Sequence, residues 1–153
     1  MRRVLLLLWL SSLLVFAQTK PNFTGEWKMN PEKSDWGKIP PPASLVRKVD
    51  HKDPNMHLVT TVKTEQGEVT TDVKYTTDGK ETTNEVRGAK ITGAMKWDGP
   101  KLVLDAVRPV GNGAEVKTHE YWTLSEDGKT WTSVNKSVTP NGDLVITLVM
   151  EKQ

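Results

Sequence analysis

The chain has 153 residues, 21 of them lysine or arginine against 19 aspartates and glutamates, and no cysteine. A formal charge of +2, spread over interleaved lysines and acids with no lysine-rich block, excludes the basic stripe that nucleic acid or an anionic membrane surface requires. The lack of cysteine excludes disulfides, thiolate metal sites and a lipid anchor on cysteine, so stability rests on the core.

The N-terminal stretch carries Arg2 and Arg3, an apolar run from Val4 to Leu10 that resumes from Leu13 to Phe16, and a V-x-A site at Val15 to Ala17. These are the three regions of a cleavable secretory signal peptide, 1–17, with cleavage after Ala17. Ser11 and Ser12 interrupt the run, which falls short of the roughly 20 residues of a spanning helix. We therefore expect a secreted or periplasmic protein with no stable membrane insertion after cleavage. Residues 18–153 make one domain of 136 residues (153 minus 17) with no net charge, since 21 minus 2 basic residues face 19 acids. A chain of that size buries about two thirds of its unfolded surface, enough for a self-sufficient monomer.

The first strand is expected around Gly25-Glu26-Trp27. Pro31, Gly37 and the run Pro40-Pro41-Pro42 then forbid a central strand or a long helix, so this stretch reads as a crossing segment or lid. Trp36 within it is either an anchor onto the barrel end or an exposed ligand contact. From Ser44 onward turn signals recur, at Asp53-Pro54-Asn55, Gln66-Gly67, Asp78-Gly79, Arg87-Gly88, Asp98-Gly99, Gly111-Asn112-Gly113, Asp127-Gly128 and Asn141-Gly142. The runs between them are rich in Val, Thr, Leu, Ile, Trp and Tyr, which predicts an all-β chain: a single up-and-down antiparallel barrel of about ten strands, eight to ten.

Register tests that reading, because two-residue turns fix which side chains share a face. Centred on Gln66-Gly67, Val62 faces Thr71 and Thr60 faces Val73. Centred on Asp78-Gly79, Tyr75 faces Thr82, Val73 faces Asn84 and Thr71 faces Val86. An even turn at Arg87-Gly88 carries this face to Ile91, Gly93 and Met95, which Asp98-Gly99 sets against Ala106, Leu104 and Leu102. Across Asp127-Gly128, Trp122 faces Ser133 and Glu120 faces Asn135; across Asn141-Gly142, Ser137 faces Ile146 and Asn135 faces Leu148. The hairpins agree on an inner face, and Lys63, Asp72, Lys74, Glu81, Lys96, Asp105, Lys117 and Lys136 collect on the other.

The G-x-W triplet Gly25 to Trp27 followed by a strand meander resembles the lipocalin-like (calycin) β-barrels. So do the run from Phe23 to Gly37 and the segments YTTDGKETTN and YWTLSEDGKTWT, which look like a group of small secreted bacterial lipocalin-like proteins. The resemblance spans nearly the whole mature chain. It implies that Trp27, with Gly25, plugs one barrel end, and it brings no reaction with it.

The inner face mixes polar groups with aliphatics, and a buried polar group must be hydrogen-bonded internally or meet a ligand or water. The cavity candidates are Glu120, Asn135, Asn84, Thr82, Tyr75 and Trp122. Glu120 is either a structural hydrogen-bonding centre with Asn135 or a ligand anchor. Fatty-acid-binding barrels hold a carboxylate with a basic residue and a tyrosine on the final strands, whereas the last strand here presents Leu144, Ile146, Leu148 and Met150 inward. A neutral or cationic ligand therefore fits better than a carboxylate beside Glu120. His51, His57 and His119 lack paired metal spacing, the register turns His57 and His119 outward, and no motif of a nucleophilic, metal-dependent or dinucleotide-binding enzyme occurs. No catalytic residue, metal or cofactor is assigned. The expected function is to hold a small, largely apolar ligand; the alternatives are a ligand-free structural or interaction module of the cell envelope, or a barrel-type isomerase or cyclase. Cavity volume separates the first two, since drug-sized ligands occupy about 300 Å³ or more.

N-terminal sequencing of the exported protein should begin at Gln18; an intact segment from Met1 to Ala17 recovered in the membrane fraction would replace export with anchoring.

Overall fold

The computed structural model describes residues 20–153, so the leader and its cleavage site lie outside the described residues. Ten strands follow one another: β1 (Gly25–Met29), β2 (Ser44–Lys52), β3 (Asn55–Thr64), β4 (Gly67–Thr76), β5 (Asp78–Val86), β6 (Ala89–Asp98), β7 (Lys101–Pro109), β8 (Glu115–Leu124), β9 (Thr130–Thr139) and β10 (Gly142–Lys152). Each pairs antiparallel with the next except β4 and β5, and β1 closes on β10 through Trp27 opposite Lys152 and Met29 opposite Met150. The result is an up-and-down barrel with one open seam.

The predicted inner face holds throughout, while three of the predicted pairings move by two residues. Val62 lies opposite Val69, Met95 opposite Leu104, and Ser137 opposite Leu144. For the first and third the cause is where the glycine sits; for the second the turn is Gly99-Pro100, with Asp98 paired to Lys101. At Thr64-Glu65-Gln66-Gly67 and Thr139-Pro140-Asn141-Gly142 the glycine is the first paired residue after the turn, at φ +125° and +106°, and the threonine hydroxyl donates to its carbonyl. A slip of two leaves every side chain on its face. The Asp127-Gly128 hairpin keeps the predicted register, with Glu120 opposite Asn135 and Trp122 opposite Ser133. Leu104 lies opposite Glu120.

The pairing expected across Asp78-Gly79 does not form. β5 begins with a register irregularity against β6 between Asp78 and Glu81, and it forms no ladder with β4. The carboxamide of Asn84 bridges the gap instead: Lys74 N–H donates to its Oδ1 at 2.7 Å and its Nδ2 donates to the Lys74 carbonyl at 2.9 Å. Tyr75 also spans the seam. A Cβ at Gly93 of β6 would lie 3.1 Å from the tyrosine ring and 3.2 Å from Asp105 O, so this position is held to glycine by close approach.

The barrel is filled at one end. Trp27, Phe23 and Trp131 are fully buried and Trp122 nearly so, with Trp122 and Trp131 centroids 4.7 Å apart and Trp27 edge-on to Trp131 at 5.7 Å. Trp27 Nε1 donates to Phe23 O at 2.8 Å, which ties the segment before β1 into the plug. His51 holds the same segment, its Nδ1 accepting from Phe23 N–H at 3.3 Å; burial pushes the ring below its ordinary pKa, consistent with a neutral acceptor. Gly25 sits at φ +143° under Lys152, where a Cβ would meet Lys152 Cε at 2.8 Å. The glycine of the G-x-W triplet is thus required by its backbone conformation, since the end of the Lys152 side chain could move aside.

At the other end the inward residues Val62, Val69, Thr71, Val86, Ile91, Thr118 and Ile146 are only partly buried. The proline-rich segment between β1 and β2 runs beside this region. Asn30 N–H donates to Val149 O at 2.8 Å, and Asp35 exchanges hydrogen bonds with Thr147 at 2.7 and 2.8 Å. Trp36 packs partly buried against the core, which is the anchoring alternative.

Trp27→Ala should destabilise by about 3 to 5 kcal/mol in chemical denaturation, as for other large aromatics removed from cores. A loss under about 1 kcal/mol would contradict its place in the plug.

Candidate ligand-binding interior

The polar groups of the inner face fall into two sets on opposite walls. On β8 and β9, Glu120 gathers donors: Trp122 Nε1 at 2.6 Å and Ser133 Oγ at 2.5 Å on Oε1, and Asn135 Nδ2 at 3.4 Å on Oε2. Ser137 Oγ donates to Asn135 Oδ1 at 2.8 Å and lies 3.0 Å from Thr118 Oγ1. The period of two explains the clustering, since positions 118, 120 and 122 and their partners 137, 135 and 133 share one face. Glu120 is therefore held by its own neighbours, with one oxygen already accepting twice.

The second set centres on Arg47 of β2, which the reading of candidate residues missed. Its Nε donates to Thr60 Oγ1 at 3.0 Å, and its guanidinium lies 4.9 Å from the Trp131 ring centroid and 5.9 Å from that of Trp122. No carboxylate oxygen lies within ion-pair distance of it among the described residues, and its Nη1 is buried without a hydrogen-bond partner. Loss of water pulls its pKa below the ordinary arginine value, opposed by the charge of Glu120 and by Tyr75. Alternation along β2 puts Leu45, Arg47, Val49 and His51 on one face and Lys48 and Asp50 on the other. That alternation was the available signal.

The remaining predicted residues are dispersed. Asn84 is committed to the seam, Thr82 Oγ1 donates to Gly93 O at 3.2 Å, and Trp122 belongs to the plug. Tyr75 is buried against Gly93, with its pKa raised by burial first and by the charge of Glu120 second. Tyr75 and Thr82 line a cleft of about 240 Å³ beside the seam, together with Met56, His57 and Lys74. This is below the span of about 300 to 1,000 Å³ typical of drug-sized ligands. His57 and His119 lie on the outer wall, bonded to Asp72 at 2.8 Å and Asp105 at 2.6 Å.

No protein-family model and no curated protein sequence matches the chain. Solved structures do. The zebrafish ileal bile acid-binding protein, crystallised with cholic acid, matches with a TM-score of 0.59 and 17% identity over 86% of this chain and 98% of its own. A secretory abundant heat soluble protein of Ramazzottius varieornatus matches with a TM-score of 0.62 and 14% identity over 89% and 98%. Apo lipid binding protein 8 of Caenorhabditis elegans gives 0.59 and 10% over 86% and 95%. The fold is a calycin-like β-barrel, as the G-x-W resemblance implies.

Glu120→Leu strands the Trp122 N–H and the Ser133 hydroxyl and should destabilise by about 1 to 3 kcal/mol in thermal or chemical melts. An unchanged or raised melting temperature would mean that Glu120 is not the centre of the network.

Proposed function

We propose that the protein is an exported monomeric barrel that holds a small, largely apolar molecule in its interior. The observation that carries this reading is the asymmetry of the inner wall: closed by aromatics at one end, and at the other lined with Val62, Val69, Ile91 and Ile146 left partly open to solvent. A core built only for stability gains by covering such groups, at about 25 cal/mol per Å². The bile acid-binding and lipid binding proteins that share the fold support the reading by analogy of architecture. Export rests on the leader, and no helix among the described residues is long and apolar enough to cross a membrane.

A ligand-free structural module of the envelope is the second reading, favoured by Glu120 being satisfied internally. Native mass spectrometry of protein purified from its own host separates the two. We expect a species heavier than the bare mature chain that loses the extra mass on denaturation. Bare chain alone, combined with no uptake of added apolar amphiphiles, would overturn the binding reading.

A further inference from the structure

Two buried hydrogen-bond donors on adjacent side chains lack acceptors: Arg47 Nη1 and Trp131 Nε1. They are neighbours because the guanidinium lies 4.9 Å from the Trp131 ring centroid. Aromatic rings favour the cation through their faces, but the guanidinium N–H groups point in its own plane and need oxygen acceptors there. Thr60 takes only Nε. Glu120, the acid on the opposite wall, makes no ion pair with Arg47, and its oxygens already receive Trp122, Ser133 and Asn135. A buried cationic donor without an acceptor is costly, and for Nη1 of the half-buried Arg47 the barrel supplies none.

We propose that Arg47 and Trp131 form the head-group site of the barrel, and that the ligand is an apolar chain ending in one anionic, oxygen-rich group such as a carboxylate. This rests on the ligand-binding reading above and specifies it. The head lies against the aromatic plug, and the tail runs toward the open end past Val62, Ile91 and Ile146. From Arg47 to the start of β2 at Ser44 is three residues, about 10 Å of strand at roughly 3.3 Å per residue, so the tail is a short chain. The site reverses the expectation from the last strand alone. That strand carries no cation, but β2 brings one to the interior from the other side of the closure. Glu120 then sets the count: one anion balances Arg47, and a second would meet the carboxylate.

The test uses the mature chain, 18–153, and calorimetric titration with decanoate, decyl sulfate, decanol and decyltrimethylammonium. Wild type should bind decanoate and decyl sulfate at least about tenfold tighter than decanol, the scale of a charge-assisted hydrogen bond, and should bind the ammonium weakest. In Arg47→Gln the anion-over-alcohol ratio should fall to within about twofold; Arg47→Lys should retain part of the preference. Equal binding of decanol and decanoate by wild type would overturn the proposal, as would preference for the ammonium or an unchanged ratio in Arg47→Gln, and each would leave the binding reading standing. If Arg47→Gln does not fold, the wild-type and Arg47→Lys ratios decide. Binding of none of the four would overturn this proposal and the ligand reading together.

Discussion

The structure depends on a tryptophan plug that also closes the barrel. Trp27 sits on the strand that joins the first part of the chain to the last, so its indole packs onto Trp131 from across that closure. With no cysteine available, nothing covalent holds β1 to β10. Burial of Phe23, Trp27, Trp122 and Trp131 does so instead, each of them a large apolar payload with edge-to-face neighbours. Filling one end so densely also decides where a ligand can go. Among the described residues the barrel stays open at the far end and at the seam between β4 and β5, where Asn84 and Tyr75 replace a ladder.

The interior's electrostatics follow from the same plug. Two of its tryptophans face Arg47, and a third polar contact comes from Trp122 Nε1 to Glu120. One acid and one base therefore lie within the same barrel and are not paired with each other. On the acid's wall, Trp122, Ser133 and Asn135 satisfy the charge. On the base's wall only Thr60 does, and the imbalance between the two walls is what makes the arginine side the place for a ligand oxygen.

Much of this was legible in the sequence, and the limits have physical causes. Strand count, inner face and the Glu120, Ser133 and Asn135 grouping followed from alternation, which survives a register slip of two. Two of the slips came from reading the glycine as a central turn residue when Gly67 and Gly142 close the turn instead, and the third arose because the turn after Asp98 is Gly99-Pro100. The seam was hidden because Asp78-Gly79 is a sound hairpin signal; whether its strands stay together depends on an irregularity inside β5 and on Tyr75 reaching Gly93, both of them tertiary. Arg47 escaped because no register was taken from the Asp53-Pro54 turn, although Lys52 faces Asn55 across it and so sets Arg47 opposite Thr60 on the inner face. An arginine in an alternating strand reads as solvent-facing until its neighbours Leu45 and Val49 are seen to share its side.

The central claim is that the interior above the plug is a binding space while the outer wall is not. Two-dimensional amide and indole NMR of the labelled mature chain, titrated with decanoate, tests it most directly. The account predicts shifts at the indole N–H groups of Trp122 and Trp131 and at the inward positions Val62, Val73, Ile91 and Ile146, with the outward Val138 and Val145 unmoved. Shifts confined to Val138, Val145 and their exposed neighbours, with both indoles unchanged, would contradict it.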